Sequence, residues 1–225
     1  MPRPALLACD ADALFQFFLS DLRPLRALQA TYGIQPVIVP EVEIELKSNK
    51  KFAARVSTDV RKALSTGLIR VLDQSTLSLA GIAGPTASAT LAAIQTLGAQ
   101  YLAHVDFGEA YTHAAALTLG VPSLSHDISA LRVLIGNGLR VPDPVLRLFD
   151  LVALAYQIKA LSAADCDGIR QALNREKEWL PQCFKNSSFV SGMSAFCPRV
   201  RDGAASSVGL TTPLIQSQFS TCLVL

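Results

Sequence analysis

Histidine is scarce in this chain, cysteine is scattered, and uninterrupted apolar runs are short. The five cysteines, Cys9, Cys166, Cys183, Cys197 and Cys222, contain no CxxC pair and are odd in number. That pattern argues against a disulfide framework and against a structural zinc site, and it points to a reducing, cytoplasmic compartment. His104, His113 and His126 show no ligand spacing and are expected in ordinary surface or core roles. The longest apolar stretch, Val145 to Leu161, is broken by Arg147, Asp150 and Lys159, so it reads as a buried or amphipathic helix rather than a membrane span. The apolar beginning carries Asp10 and Asp12, which do not belong in a signal-peptide core. Charged residues make up only 17% of the chain and the formal net charge is +2. A near-neutral total neither demands nucleic acid nor excludes it, because a basic face can be local.

What is present is apolar material in quantity. Half of the 225 residues are hydrophobic, enough to bury a sizeable core in one large domain, and disorder over most of the length is not expected. No internal repeat is visible. Asn186-Ser187-Ser188 fits a glycosylation acceptor but has no secretion signal to give it meaning. Cys222 to Leu225 fits a prenylation box ending in Leu, yet no polybasic run precedes it as a second anchoring signal.

Along the chain, short apolar runs alternate with helical periodicity. Residues 5–9 form an apolar run ending at Asp10, and Leu14, Phe17, Phe18, Leu22 and Leu25 then recur at helical intervals, with Pro24 as a kink or a new helix start. Val37 to Val39 is a strand candidate closed by Pro40, which opens a helix over Glu41 to Leu46. Ile69 to Leu72 is a third strand. Helices are predicted over Pro85–Leu97 and Asp106–Leu119, the latter stopped by Gly120. Val121 to Ser125 returns as strand, followed by helices over 128–135, about 143–160 and 163–179, the last with a capping-box-like start at Ser162. This alternation predicts an α/β fold, a central parallel sheet covered by helices in three layers. A globular domain over 1–185 and an irregular tail over 186–225 complete the expected organisation.

The chemistry lies in the carboxylates. In a parallel α/β sheet, ligands collect outside the carboxyl ends of the strands. Asp10 and Asp127 each follow an apolar run, Glu45 lies on a helix after the second strand, and Asp106 and Glu109 open another helix. Each has a plain structural alternative: Asp10 and Asp127 as helix caps, Glu45 as a solvated helix residue, Glu109 as a favourable charge at a helix N-terminus. Convergence would be costly without a cation, since two carboxylates about 4 Å apart repel by roughly 4 kcal/mol at an effective dielectric near 20. Oxygen-only donors favour Mg²⁺ or Mn²⁺, and phosphodiester hydrolysis is the natural chemistry of such ions.

Leu6-Leu7-Ala8-Cys9-Asp10-Ala11-Asp12 resembles the opening motif of PIN-domain nucleases. Val39 to Leu46, with Glu45 before Leu46 on a helix, resembles their second motif. Asp106-Phe107-Gly108-Glu109-Ala110 and Leu124-Ser125-His126-Asp127 resemble the third and fourth motifs of one subgroup, and the likeness spans about residues 4–180. The resemblance implies a PIN-like sandwich in which Asp10, Glu45, Glu109 and Asp127 are catalytic and bind Mg²⁺ or Mn²⁺, with Asp106 a further ligand. It also implies endonucleolytic cleavage of single-stranded RNA, and a toxin role with a small antitoxin as partner, as in many bacterial members. The family usually has a small hydroxyl or amide residue where Asp12 stands, so Asp12 is either an added ligand or a helix cap.

Six basic residues lie between Lys47 and Lys62. By default this is a solvated helical face, but its place after Glu45 makes Lys50, Lys51 and Arg55 candidates for contact with the RNA backbone. Two rival functions stand beside the nuclease. One is a catalytically silent PIN-like module that binds RNA or protein. The other is a phosphatase of the haloacid-dehalogenase type, suggested by Asp10-Ala11-Asp12 but lacking that family's late acidic pair.

Overall fold

The computed structural model describes residues 4–196, the side chains of Lys50, Lys51, Ala53 and Ile128 excepted. Its centre is a five-stranded sheet, β1 (Ala5–Cys9), β2 (Ile34–Ile38), β3 (Arg70–Val71), β4 (Ser123–Leu124) and β5 (Val145–Leu146). The order is β3-β2-β1-β4-β5 and every pairing is parallel. The chain steps outward from β1 to β2 and β3, then crosses back to β4 and β5 on the other side. The order therefore reverses between β1 and β4, which leaves a crevice at their carboxyl ends.

Helices form every crossover: α1 (Ala11–Leu19) and α2 (Arg23–Tyr32) before β2, then α3 (Pro40–Ser48) and α4 (Lys50–Ser65) before β3. Helices α5 (Gln74–Leu79), α6 (Pro85–Tyr101) and α7 (Phe107–Leu119) lead to β4, and α8 (Ile128–Gly136) leads to β5. The predicted three-layer α/β architecture is the one observed. Parallel strands covered on both faces are mostly apolar, and β2 is buried at all five positions, its one polar side chain, Gln35, donating to the Pro36, Gly67 and Leu68 carbonyls. Pro36 is tolerated inside it because β3 pairs only with Val37 and Ile38, so at Pro36 the strand has a partner on one side alone.

Two sequence expectations need correction. The helix expected from about 143 to 160 is a strand followed by a helix: Val145–Leu146 is β5, and α9 runs Leu148–Gln157. A two-residue buried strand and a buried helix are both plain apolar runs, so periodicity cannot separate them. Arg147 marks the break. Its backbone N–H and guanidinium both donate to the Asp150 carboxylate, which satisfies the free N–H at the helix start. The second correction concerns the segment from 186 onward. After α10 (Ala163–Arg175) and α11 (Gln182–Lys185), a short α12 (Phe189–Met193) seats Phe189 in the core, stacked on Phe184, and Phe196 is also buried. Packing therefore continues to Phe196 past the expected boundary. Cys197 and Cys222 lie outside the described residues.

Candidate active site

The crevice between β1 and β4 is built by backbone continuity. The Asp10 N–H donates to the Leu124 carbonyl (3.0 Å), extending the β1–β4 pairing one residue beyond Cys9, and Ser125 N–H does the same to Leu146 (3.0 Å). Asp10, Ser125, His126 and Asp127 are thereby delivered to one sheet edge. Asp10 occupies the N-cap position of α1, yet its side chain makes no cap hydrogen bond. The capping alternative for Asp10 is not realised. By contrast Asp106 caps α7 through Glu109 N–H (3.1 Å), and Asp127 Oδ1 caps α8 through Ser129 N–H (2.7 Å) and Ala130 N–H (3.0 Å). Asp127 thus takes the helix-cap role with Oδ1 while standing at the crevice edge.

Gly108 brings the third and second motifs together. A Cβ there would lie 2.5 Å from Glu45 Oε2 and 3.2 Å from Asp10 Oδ1, so both carboxylates close on the bare Cα face. Helix α3 packs against α7, which carries Glu45 across to this point. Glu109, in the first turn of α7, is 4% exposed, as is Asp10. Ser125 links the two sides of the crevice. Its hydroxyl donates to Glu109 Oε1 over a long 3.4 Å, and its oxygen accepts from Asp127 N–H (3.3 Å).

The electrostatics follow from burial among like charges. Burial, then the negative fields of Asp12, Asp106 and Glu45, hold the Asp10 carboxyl well above the ordinary carboxylate range. Burial, then Asp10, Asp106 and Asp127, push Glu109 up to about 9, opposed only by the Ser125 hydroxyl. Among the described residues neither Asp10 nor Glu109 has an ion-pair partner. The structure thus brings together Asp10, Glu45, Asp106, Glu109 and Asp127, with Asp12 close enough to act on Asp10. Among the described residues no three His, Cys, Asp or Glu side chains are disposed as ligands of a single ion.

The basic candidates stand apart. Arg55 is bonded to Glu176 and lies over the Phe15 ring at 5.6 Å, so its guanidinium is already engaged. Lys50 and Lys51 open α4, close in sequence to Glu45, and their side chains lie outside the description. Of the histidines, His104 is exposed and His113 fully buried, where desolvation lowers it to about 4. His126 stacks on Trp179 at the rim of the crevice. Gly108, Ser125, Gln16 and Trp179 were not singled out from sequence as site residues. Only Gly108 carried a signal, standing between two acidic residues at a helix start.

No family model, curated protein or solved structure matches the chain. Among the described residues no helix is long and apolar enough to cross a membrane.

Proposed function

We propose that the chain is a metal-dependent endoribonuclease that hydrolyses phosphodiester bonds of single-stranded RNA. The observation that carries this reading is the convergence of five carboxylates at the strand-order reversal, two of them buried and, among the described residues, without a cationic partner. Buried acids in such a place hold either protons or a cation. The donors are all oxygens, which suits Mg²⁺ or Mn²⁺ and not a soft ion. With no three side chains disposed around one point, the fit is to a hydrated ion held through one or two carboxylates, the usual habit of Mg²⁺. Asp10 and Glu45, which meet at Gly108, are its holders, with Glu109 and Asp106 beside them.

Bound there, the ion would neutralise phosphate oxygens and lower the pKa of a water molecule. The residues of the chain do the rest. Asp10 and Glu45 would hold the ion, and Ser125 fixes Glu109 by a hydrogen bond. Asp127 anchors α8 through Oδ1, and its Oδ2 would be the oxygen to face the ion or its water. Lys50 and Lys51 remain the candidates for holding the RNA backbone, and Arg55 joins them only through donors that Glu176 leaves over. The choice of RNA rests on the likeness of the four motifs to PIN-domain nucleases, and an antitoxin partner would follow from the same likeness. A reducing, cytoplasmic setting suits the free thiols Cys9, Cys166 and Cys183, all raised by burial.

The test is cleavage of labelled single-stranded RNA with Mn²⁺, Mg²⁺ or EDTA, beside an Asp10→Asn variant. Metal-dependent cutting that the variant loses supports the reading. Cutting that survives both EDTA and the substitution sinks it. Metal binding by calorimetry with no cleavage of any RNA turns the assignment to a silent binding module.

A further inference from the structure

Beside the acid cluster lies a pocket of about 300 Å³, bounded by Asp12 and Gln16 of α1, His126 and Asp127 after β4, and Glu178 and Trp179 after α10. That volume is at the small end of ligand sites, room for one compact planar group. We propose that this pocket receives a single nucleobase of the RNA strand, stacked on the Trp179 indole, and that it favours guanine; its role beside a scissile phosphate rests on the nuclease reading above.

Three observations argue for it. Trp179 is the chain's single tryptophan, and it is 38% exposed although large and apolar. It lies nearly parallel to His126, with ring centroids 5.9 Å apart and planes at 26°, so the indole is fixed in orientation before any ligand arrives. An exposed, pre-oriented aromatic beside a nuclease centre is a stacking platform, as in proteins that hold single strands. Second, Gln16 is 3% exposed and its Oε1 has no hydrogen-bond partner. A buried acceptor left without a donor is costly, and a ligand that donates to it removes that cost. Asp12 and Gln16, four apart on α1, line the same side.

Third, every formally charged side chain of the lining is a carboxylate, Asp12, Asp127 and Glu178, and the unpaired Gln16 carbonyl adds a further acceptor beside the Ser129 hydroxyl and the His126 ring. An occupant must bring N–H donors and no negative charge, which excludes a phosphate. Among the bases, guanine presents N1–H and N2–H₂ side by side on its Watson–Crick edge. Adenine and cytosine set a lone pair beside their amino group, and uracil sets one N–H between two carbonyls. Asp127 belongs both to this pocket and to the acid cluster, so a base held here is next to the reacting centre, and cleavage falls beside a guanine.

Because Trp179 is the sole tryptophan, its fluorescence reads the pocket directly. It is titrated with guanosine, adenosine, cytidine and uridine in EDTA, with N-acetyltryptophanamide correcting for nucleoside absorbance. Guanosine quenches saturably, and uridine binds at least about tenfold more weakly, the discrimination expected of paired hydrogen bonds to one base. Gln16→Ala, which keeps Trp179, abolishes most of that preference; should it not fold, Asp12→Asn at an exposed helix position weakens guanosine binding in its place. Saturable quenching by no nucleoside overturns the pocket, and equal quenching by all four overturns the preference. None of these readings needs metal or cleavage. A chain that fails to cut RNA in Mn²⁺ yet selects guanosine refutes the nuclease and leaves the pocket standing.

Discussion

Two places in this molecule bury acid, and they do so in opposite ways. Asp150 is fully buried at the start of α9, and the Arg147 fork meets both of its oxygens at 3.0 Å while the Arg147 backbone N–H adds a third bond at 2.8 Å. The Arg147 guanidinium in turn lies 4.9 Å over the Phe196 ring. Every charge has a counterpart, and the pair fixes where β5 ends and α9 begins. Two strands away along the same sheet edge, Asp10 and Glu109 are buried to nearly the same degree, and the groups acting on them are more carboxylates. Burying a charge without its counterion opposes folding. A chain that can make an Arg–Asp fork at α9 and does not make one at β1 is holding acidity there at the expense of stability, the usual mark of a working site.

The sharpest way to break the comparison is to remove one acid from each place. Asp150→Ala leaves the Arg147 guanidinium buried and uncompensated and is expected to destabilise the fold by about 3–5 kcal/mol. Asp10→Asn replaces a buried acid, which must either take up a proton or face its carboxylate neighbours, by a neutral amide of the same shape, and is expected to stabilise the metal-free protein by about 1 kcal/mol. Urea denaturation in EDTA measures both. Equal destabilisation by the two substitutions would mean that Asp10 is an ordinary structural acid and would remove the argument for a site.

The next effect is on protons. Glu109 has its pKa raised in the folded state, from near 4.5 to about 9, and Asp10 is raised as well. An acid whose pKa is raised on folding binds more protons folded than unfolded, so its stability contribution is present at low pH and is lost as pH rises through that window. His113 works the other way, lowered to about 4 by burial, so its contribution is lost as pH falls from about 6.5. Between pH 6.5 and 8, below the range where the raised thiols begin to contribute, the carboxyl groups dominate, and the melting temperature in EDTA should fall. Saturating Mg²⁺ or Mn²⁺ should flatten that fall and release protons on binding, read by calorimetry in two buffers of different ionisation enthalpy. The Arg147–Asp150 pair predicts no such metal effect. A melting temperature that is level across this range in EDTA, with no proton release, would contradict the buried-acid account.

The sequence made the fold legible where local pattern and tertiary role coincide. Apolar runs ending in an acid at Cys9–Asp10 and after Leu124 located β1, β4 and the crevice between them, because a strand buried on both faces cannot carry charge until it ends. Pro40 and Gly120 marked α3 and α7 for equally local reasons. β5 was not legible, because two residues of strand have no period and the Arg147–Asp150 break reads like an ordinary helical i, i+3 pair. All five acids could be named from order and context, Asp106 as a further ligand beside the other four. What could not be read was which ones are buried, that the Asp10 side chain makes no cap hydrogen bond to α1, and that Trp179 and Gln16 come from distant segments to one pocket. Those are facts of packing between elements, and no local spacing encodes them.

A smaller effect tests the Gly108 contact. Gly108→Ala sets a methyl 2.5 Å from Glu45 Oε2, at the far end of a flexible side chain, so Glu45 must swing aside while the backbone of α7 stays. Alanine is the better helix former, which offsets the crowding, and stability should change by less than about 1 kcal/mol. Metal affinity should drop by about tenfold or more, as when the surroundings of a metal ligand are disturbed. Calorimetric titration with Mn²⁺ checks it. Undiminished affinity would show that Glu45 and Asp10 do not share an ion.

The smallest effect concerns Ser125, whose hydroxyl donates to Glu109. Its bond to Glu109 Oε1 is 3.4 Å, long for an O–H···O contact, so Ser125→Ala should cost about 1 kcal/mol or less of stability. The change should appear instead in titration. The hydroxyl favours the ionised carboxylate, so its loss raises the Glu109 pKa further above 9, and the pH at which Mn²⁺ binding is half-maximal should move upward. A purely structural serine would lower the melting temperature and leave that midpoint where it was. Ser125→Thr keeps the hydroxyl and should restore the midpoint even if the added methyl perturbs packing at this buried position. An upward shift in the alanine variant that threonine reverses ties Ser125 to the acid cluster, and through it ties the end of β4 to the first turn of α7.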